Sequence, residues 1–590
     1  MRPSLERALR HVHGGPAGPP QRAAWESPQP AVPAPSVALQ AGDPNASLPH
    51  GRQAVLQRMQ NPAFGVASPR YWTAQLEDCE ARCRHEVQRI AATCRDQGTK
   101  FTDQDFPPSK KSLFVNCERA ASSRKMPQEV RWRRASEMGM VGGAKPGQVS
   151  DDSRFKPGAM DDTAFLGVVA LLRAAQRSPD ELIVHHDAAA GVVGVRLFKD
   201  GEWSYEVIDD YLPCCSDDRL ACGQSSAPGE VWLALLEKAN AKFHGSYEAV
   251  QRTTELEALE DLTSGAVRRV EAREMASGSE LVRLLEARQP LGCLYLAVRR
   301  RERRGEQSES GLLSGHGYPI FEAERDDFGG RATCRLENPW VHGGYSGVYS
   351  SVAGVAQRPA LFLMEADEVA RHFTEVIEVR IPPASWQCHR VTLSTDRPSY
   401  PLLSARAPTQ CLLIAGQPDR RWSRQDSYLN GLGLRVYRCR VRPLPRDQHG
   451  ARQDPNANPF EPLELIRKRP LGKTRSACLE FAMEPYALYV VAVDSQYRCP
   501  SCILRFACSN QVQFRELSAP EAGHFLAAVP GSAVIESEVS SLPQRFTAEG
   551  SPDADGYGGA EICTARRMAN HCAPCESHAS RPWWAFGSCF

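Results

Sequence analysis

The periodicity of apolar and polar positions changes along the chain, and its first regular stretch indicates a helix. Between residues 71 and 99, apolar side chains from Leu76 to Cys94 recur among charged ones with a period of about 3.6 residues, which predicts a long amphipathic helix. Cys79 and Cys83 lie four positions apart on the apolar face. We expect these cysteines to be packing groups rather than metal ligands, because unpaired cysteines are among the most buried residues.

Residues 127–383 mix helical and strand patterns. Apolar and polar residues alternate in VVGVRLFKDGEWSYEVIDDYLP on both sides of Lys199-Asp200-Gly201, and a turn sequence of this kind predicts a β-hairpin. The next segment, EVWLALLEKANAKFHGS, carries an apolar stripe and reaches Gly245. This pattern predicts an amphipathic helix that ends at a glycine.

Beyond residue 383 the pattern becomes one of short strands. Turn-forming clusters of Pro, Gly, Asp and Asn separate the segments HRVTLST, QCLLIAG, GLRVYRCRV, CLEFAM, YALYVVAV and CILRFAC. Several short strands at this spacing are typical of two packed sheets. We therefore predict a β-sandwich over residues 384–515.

The flanking segments lack such patterns. Residues 1–68 are rich in Pro, Ala, Gly and Ser and are predicted to be a disordered leader, because few large apolar residues are available to offset the entropy of ordering. Residues 69–126 form a helical lead-in around the first predicted helix. Residues 516–590 are interpreted as an extension of unknown structure.

Composition and charge narrow the function classes. The chain has 590 residues, with 71 Lys plus Arg against 70 Asp plus Glu, so no strong field exists to attract nucleic acid, and we expect no nucleic-acid partner. We find neither the apolar core of a signal peptide nor an apolar run long enough to span a bilayer. The 20 cysteines are scattered, so we expect reduced thiols and a cytoplasmic location.

Three groups of residues in the middle region carry a resemblance to a known family. They are PQEVRWRR at 127–134, VWLALLEKANAKFHGSYEAV followed by ALEDLTSG at 258–265, and SGHGYPIFEAE at 314–324 with ENPWVHGGYSGVYS at 337–350. These strings, in this order, resemble the calpain family of cysteine peptidases. An ordered match of this length is far more specific than a single short motif.

The resemblance implies an α+β fold, with a two-lobed papain-like protease core over residues 127–383 followed by the calpain-type β-sandwich. It also implies that His316 and Asn338 stand in the positions of the catalytic His and Asn. The calpain nucleophile lies in the pattern Gln-Gly-x-Leu-Gly-Asp-Cys-Trp, and the segment PGAMDDTAFLGVVALL aligns with it. This alignment puts Thr163 in the Cys position, Pro157 in the oxyanion Gln position and Ala164 in the Trp position.

These three changes predict loss of peptidase activity. A thiolate attacks the peptide carbonyl in such enzymes, whereas an internal threonine hydroxyl has a far higher pKa and lacks the free amine on which threonine nucleophiles rely. Pro157 removes both the side-chain amide and a backbone donor. Cys214, Cys215 and Cys222 follow the predicted hairpin as possible substitute nucleophiles, although no family pattern marks them.

Metal binding is a separate question. Because calpain cores depend on calcium, the resemblance implies calcium as a cofactor, but acid clusters in loops are usually only solvated and no site is assigned. The acidic residues concerned are Asp209, Asp210, Glu248, Glu324, Asp326 and Asp327. No EF-hand pattern occurs. Zinc-type ligands also occur near the C-terminus in a spacing that fits no finger pattern, namely Cys563, His571, Cys572, Cys575 and His578, and a further pair is Cys499 and Cys502.

The favoured interpretation is a catalytically inactive calpain homologue that acts as a scaffold or regulatory binding protein with a protein or peptide partner. It is similar to the calpain-like proteins with substituted triads of kinetoplastid protozoa, a group associated with the cytoskeleton and the membrane periphery. One alternative is a calcium-dependent cysteine-type endopeptidase with a substitute nucleophile. The other is a peripheral phospholipid-binding module, for which Arg420, Arg421 and Arg424 beside Trp422 supply positive charge.

Overall fold

The structure is a computed structural model that describes residues 70–115, 127, 129–140, 154–175, 179–251, 253–288, 291–300, 303–325, 332–346, 360–394, 400–419, 431–440, 464–495 and 501–529. The chain divides into two compact units, Met1–Ser532 and Ala533–Phe590. Every described residue belongs to the first unit. The predicted leader over residues 1–68 and the Cys/His-rich tail lie outside the described residues.

The elements of the described residues are as follows. The α-helices are α1 (Trp72–Gln97), α2 (Lys110–Leu113), α3 (Thr163–Ala174), α4 (Trp232–Phe243), α5 (Tyr247–Val250), α6 (Glu255–Thr263), α7 (Gly278–Arg288), α8 (Ala366–His372) and α9 (Ala519–Ala528). The first fourteen strands are β1 (Arg70–Tyr71), β2 (Arg131–Arg134), β3 (Phe155–Lys156), β4 (Ile183–Asp187), β5 (Val192–Lys199), β6 (Glu202–Asp209), β7 (Tyr211–Cys214), β8 (Gln224–Ser225), β9 (Ala266–Arg269), β10 (Cys293–Arg299), β11 (His316–Arg325), β12 (Ala332–Glu337), β13 (Leu361–Glu365) and β14 (Glu375–Arg380). The others are β15 (Gln387–Ser394), β16 (Pro401–Ala405), β17 (Thr409–Gly416), β18 (Leu432–Cys439), β19 (Glu464–Gly472), β20 (Ser476–Met483), β21 (Leu488–Ser495), β22 (Ser501–Cys508) and β23 (Val512–Glu516).

The first predicted helix is confirmed as α1, which packs on the three-stranded sheet β4-β5-β6. Close approach is possible because Gly194 of β5 has no side chain: a Cβ there would lie 2.5 Å from Cys83 Sγ. Cys79 and Cys83 are fully buried, and burial raises the pKa of Cys79 to about 11 and that of Cys83 to about 12. These thiols are therefore packing groups, as predicted.

The predicted hairpin is confirmed as β5 and β6, joined at Asp200 and Gly201, which have φ values of +52° and +85°. Positive φ at both turn positions matches the right-handed twist of paired strands. The alternation expected in β5 is absent, since most of its residues are buried on both faces. Helix α1 covers one face and the main core covers the other.

The main core lies around α3, α4 and a six-stranded antiparallel sheet with the order β13-β12-β11-β10-β14-β9. Helix α3 has the sequence TAFLGVVALLRA, and its residues from Thr163 to Leu172 are all buried. It packs against β11, where Gly167 of the helix meets Gly317 of the strand; a Cβ on Gly167 would lie 3.4 Å from the Gly317 Cα. This contact positions the start of α3 beside the start of β11.

The strands after residue 383, together with β1, form two five-stranded sheets with the orders β1-β15-β22-β17-β20 and β19-β18-β21-β16-β23. One apolar core contains residues of both sheets, such as Leu413 and Leu434. The six strands predicted here are confirmed as β15, β17, β18, β20, β21 and β22. Strand β23 follows them and ends at Glu516. Helix α9 packs Phe525 against Tyr400 and Tyr437, within the segment after residue 515 that was interpreted as an extension of unknown structure.

Buried ion pairs connect this region to the main core. Glu260 of α6 accepts hydrogen bonds from Arg475 at 2.9 Å and from Arg505 at 2.8 Å. The ring nitrogens of His244 lie 2.6 Å from an Asp419 carboxylate oxygen and 3.1 Å from an Asp261 oxygen. Charged groups buried at a contact must be paired to be tolerated, so these residues fix how the two regions meet.

Among the helices of the described residues, none is both long and apolar enough to span a membrane.

Candidate functional site

Thr163 opens α3. Asp162 takes the N-cap position, although its side chain makes no capping hydrogen bond. The Thr163 hydroxyl is buried and donates to the backbone carbonyl of Gly315 at 3.1 Å. Because Gly315 immediately precedes His316, the structure brings the predicted nucleophile position next to the chain segment that carries the predicted catalytic histidine.

Arg304 contacts the same hydroxyl, although no sequence motif marks this arginine as a site residue. Its Nε–H donates to Thr163 Oγ1 at 2.9 Å, and its Nη2 group donates to the same oxygen. Its Nη1 group forms an ion pair with Asp161 at 3.1 Å. The Thr163 hydroxyl therefore has a full set of partners, with one acceptor and two donor groups around it.

His316 is the first residue of β11 and is buried. Its Nδ1 lies 2.9 Å from the backbone carbonyl oxygen of Ser314, and since a carbonyl can only accept, Nδ1 carries the hydrogen. Burial lowers the pKa of His316 below its ordinary value, and the positive charge of Arg304 acts in the same direction, while the Ser314 bond opposes them. The imidazole is thus held neutral near pH 7.

Asn338 directs both of its side-chain hydrogen bonds into its own loop. Its amide nitrogen donates to the Gly343 carbonyl at 2.9 Å, and its amide oxygen accepts from the Trp340 backbone N–H at 3.2 Å. The Trp340 ring stands edge-on to the His316 ring, with 4.6 Å between ring centroids, and its Nε1–H donates to the Gly317 carbonyl at 3.1 Å. Asn338 thus shapes the loop that holds Trp340 over the imidazole, and the Trp340 ring covers one side of His316.

Pro157 is half-buried in the segment before α3 and has no N–H to offer a developing oxyanion. The adjacent Gly158 lies against the chain, since a Cβ there would be 2.2 Å from the carbonyl oxygens of Ala221 and Cys222. This close approach is a physical reason for a glycine at the position that matched the family pattern.

Two carboxyl groups lie buried under the start of α3. Asp162 and Glu237 face each other, and Glu237 accepts a hydrogen bond from the Gly223 N–H at 2.6 Å. The Asp162 oxygens lack a well-aligned hydrogen bond from a described N–H or hydroxyl group, and a proton shared with Glu237 would satisfy both carboxyl groups. Burial raises the pKa of Asp162 to about 6, and burial together with the Asp162 charge raises that of Glu237 well above its usual range.

The three cysteines considered as substitute nucleophiles are Cys214, Cys215 and Cys222, and their surroundings do not activate a thiol. Cys214 is buried with its sulfur 3.5 Å from that of Met138, and Cys222 is buried with its sulfur 3.7 Å from the Tyr247 hydroxyl. Burial raises the pKa of Cys214, Cys215 and Cys222 alike. These thiols stay protonated, whereas a nucleophile requires the thiolate.

The acidic residues considered as calcium ligands that the structure describes are engaged in other contacts. Asp209 pairs with Lys238 and Asp210 pairs with Arg134, while Glu248 accepts from the Val115 N–H at 2.8 Å. Within the described ranges, no group of three or more His, Cys, Asp or Glu side chains is placed to hold a metal ion. Asp326, Asp327, the Glu324 side chain and the tail ligands lie outside the described residues.

Comparison with known proteins gives the site its family context. Residues 101–355 match the family described as calpain family cysteine protease. The six-stranded sheet, α3 and the site residues Thr163, His316 and Asn338 all lie within or overlap this range. Over this region the chain matches the calpain family of cysteine peptidases.

Individual calpains are also similar in sequence to this chain. The chain is 33% identical over 278 residues to the calpain-type cysteine protease DEK1 of Arabidopsis thaliana, covering 45% of this chain and 13% of that protein. It is 29% identical over 289 residues to calpain-9 of Homo sapiens, covering 46% and 40%. It is 27% identical over 333 residues to the calpain-1 catalytic subunit of Sus scrofa, covering 52% and 45%. The chain thus spans less than half the length of each of these relatives.

Proposed function

We propose that this calpain-family chain is not a peptidase and acts as a scaffold or regulatory binding protein. The observation that carries the proposal is the surroundings of Thr163. Its hydroxyl is hydrogen-bonded to the Gly315 carbonyl and to Arg304. His316, the base that should activate a nucleophile, directs Nδ1 to the Ser314 carbonyl.

The chemistry supports inactivity at each step. A hydroxyl needs a base within hydrogen-bond reach to become a nucleophile, but the Thr163 proton goes to a backbone carbonyl. The charge of Arg304 together with burial keeps His316 neutral, so no imidazolium is available to stabilise an anionic nucleophile. Loss of one oxyanion donor costs roughly 100 to 1,000-fold in rate, and Pro157 is such a loss on the family alignment.

The alternative is a calcium-dependent cysteine-type endopeptidase, favoured by the names of the relatives and by the presence of His316 and Asn338 at the expected positions. It requires a nucleophile other than Thr163. Cys214, Cys215 and Cys222 do not fit this role, because burial holds their thiols protonated. The phospholipid-binding alternative depends on Arg420 and its neighbours, which lie outside the described residues.

The proposed role also depends on how the sheets and helices are assigned to domains. We infer that the main core is the two-lobed papain-like layout and that the two later sheets form the calpain-type β-sandwich, supported by the six-stranded sheet packed on α3 and by the core that the two five-stranded sheets share. A groove that no longer cleaves still suits an extended peptide. A cytoplasmic protein or peptide partner, including a cytoskeletal one, follows from this proposal.

Cleavage of an unstructured substrate tests the function. Purified protein is incubated with casein, calcium and a reductant, beside His316→Ala, Thr163→Cys and Thr163→Cys/His316→Ala variants. We expect no cleavage by the unmodified protein. Cleavage by the unmodified protein that is abolished by His316→Ala would show an active peptidase and overturn the proposal.

A further inference from the structure

We propose that Arg304 is an internal plug that closes the reactive end of this site, with Asp161 as its anchor. The inference rests on the proposed function, since it describes how the inactive site is regulated. The term "plug" here means the Arg304 side chain in contact with Thr163, Asp161 and Gly315. Nothing in the family match assigns a role to this arginine.

The hydrogen bonds of Arg304 are the first support. Its Nε and Nη2 groups both reach Thr163 Oγ1, and Nη1 reaches Asp161. A planar guanidinium offers its donors in a fixed fork, and this fork joins the first helical residue of α3 to the loop before it. A scissile carbonyl could not approach Oγ1 while the guanidinium holds this position.

The backbone under Arg304 is the second support. Gly315 has a φ of +75°, and a Cβ there would lie 2.5 Å from Arg304 Cγ. The aliphatic stem of Arg304 therefore lies directly on a residue that can only be glycine, both for its backbone conformation and for the space above it. Thr163 therefore contacts the guanidinium end of Arg304, and Gly315 contacts its aliphatic stem.

The loop that carries Arg304 is held in place independently of the plug. The Gly305 N–H donates to the Ser314 carbonyl at 2.8 Å, and the Ser314 N–H donates to the Glu306 carbonyl at 2.9 Å. The far end of the loop is fixed where the Gly344 N–H donates to the Gly311 carbonyl at 3.1 Å. Arg304 can therefore leave its seat by side-chain rotation alone, without unfolding of the loop.

The plug is also accessible to a competitor. The Arg304 and Asp161 side chains are 38% and 40% exposed, and ion pairs this exposed are weak. A ligand that presents a carboxylate can replace Asp161 as the partner of the guanidinium, because carboxylates bind this fork in two-point fashion. Acidic peptide ligands are therefore the class that we expect to open the site.

Two alkylating probes of different size test the plug on a Thr163→Cys background, with labelling at position 163 followed by peptide mapping and mass spectrometry. Iodoacetamide is small, whereas a dipeptidyl chloromethyl ketone must occupy the groove. The variants compared are Thr163→Cys alone, with Arg304→Ala, and with Arg303→Ala. Arg303 is the matched control, because it is the exposed neighbour in the same turn and no contact joins its side chain to Thr163 among the described residues.

Arg304→Ala should raise the ratio of the labelling rate with the peptidyl probe to the labelling rate with iodoacetamide. The rise should be at least about tenfold if the Arg304 side chain is displaced from Thr163 in less than about a tenth of the unmodified molecules. Iodoacetamide labelling should not rise, because the guanidinium favours the thiolate. The Arg303→Ala variant should leave the ratio unchanged. Asp161→Asn should shift the ratio in the same direction by less, because it weakens the anchor of the guanidinium and leaves Arg304 in place. The substitution should not disturb the backbone, because Asn tolerates the positive φ of +54° at this position.

An unchanged ratio after Arg304→Ala would overturn the plug, and so would an equal rise with both probes, which would indicate general loosening. The ratio compares two probes on one protein, so a change in folded fraction cancels. Casein cleavage by the unmodified protein would refute the proposed function without altering this ratio, so the two failures are distinguishable.

Discussion

The buried carboxyl pair under α3 predicts an unusual pH dependence of stability. An ordinary Asp has a pKa of 3.8 here, and burial opposite Glu237 raises that of Asp162 to about 6. The folded protein therefore keeps this proton to higher pH than the unfolded chain does. The free energy of unfolding must then fall as pH rises through this window.

The magnitude follows from the shift. A rise of this size corresponds to about 3 kcal/mol across the whole window, of which about 1 to 2 kcal/mol falls between about pH 5 and about pH 7.5. Asp162→Asn removes the titrating group with little change in side-chain size, and no capping hydrogen bond is lost because the Asp162 side chain makes none. The variant should therefore gain stability relative to the unmodified protein as the pH is raised.

The assay is urea unfolding of both proteins at a series of pH values, followed by circular dichroism and intrinsic fluorescence. The difference between the two proteins is the quantity of interest, because titrating groups that do not contact the Asp162–Glu237 pair cancel in it. Asp96→Asn, at an exposed position near the end of α1, is the control for removal of a surface carboxylate. Parallel pH profiles for Asp162→Asn and the unmodified protein would refute the shared-proton interpretation.

Two further substitutions test how the regions are held together. Glu260→Gln should lower the free energy of unfolding by about 3 kcal/mol or more, because it removes the carboxylate that pairs with the buried Arg505 and one of the two that pair with Arg475; urea unfolding measures this. Although burial opposes its ionisation, these arginines hold the pKa of Glu260 below its usual range. Gly194→Ala should lower the free energy of unfolding by about 1 to 3 kcal/mol through overpacking, because the new methyl group would lie 2.5 Å from Cys83 Sγ. Thermal unfolding measures this loss of stability.

Each of these substitutions has a matched control. Glu464→Gln affects a carboxylate that is 60% exposed beside Arg438 and should change stability by less than about 1 kcal/mol. Gly523→Ala lies in α9 with no atom within 4 Å of the new methyl group and should stabilise by about 0.5 to 1 kcal/mol. Equal effects for substitution and control would contradict the packing and ion-pair arguments.

Local sequence patterns predicted the elements whose burial is one-sided or whose turns are specific. The hairpin at Asp200-Gly201 and the helix that ends before Gly245 are examples. Strand β19 was missed because its residues from Glu464 to Gly472 are exposed or half-buried on both faces, so it lacks the alternation of a packed strand. The missing alternation in β5 has the opposite cause, burial on both faces.

The site was predicted only in part. The family strings placed Thr163, His316 and Asn338 in one neighbourhood, because motif order survives when the chemistry changes. Arg304 could not be selected from the run AVRRRERRGE, since which arginine turns inward is set by the loop and by the space above Gly315. The Asp162–Glu237 contact joins residues far apart in sequence and needs the fold to be seen.

The central claim is that the Thr163 hydroxyl takes no part in peptide hydrolysis. The most direct measurement is the initial rate of hydrolysis of a quenched fluorescent peptide, with calcium and reductant, by the unmodified protein and by Thr163→Ala. We predict that both rates equal the buffer blank. A rate for the unmodified protein above the blank that disappears in Thr163→Ala would identify Thr163 as a working nucleophile and contradict this account.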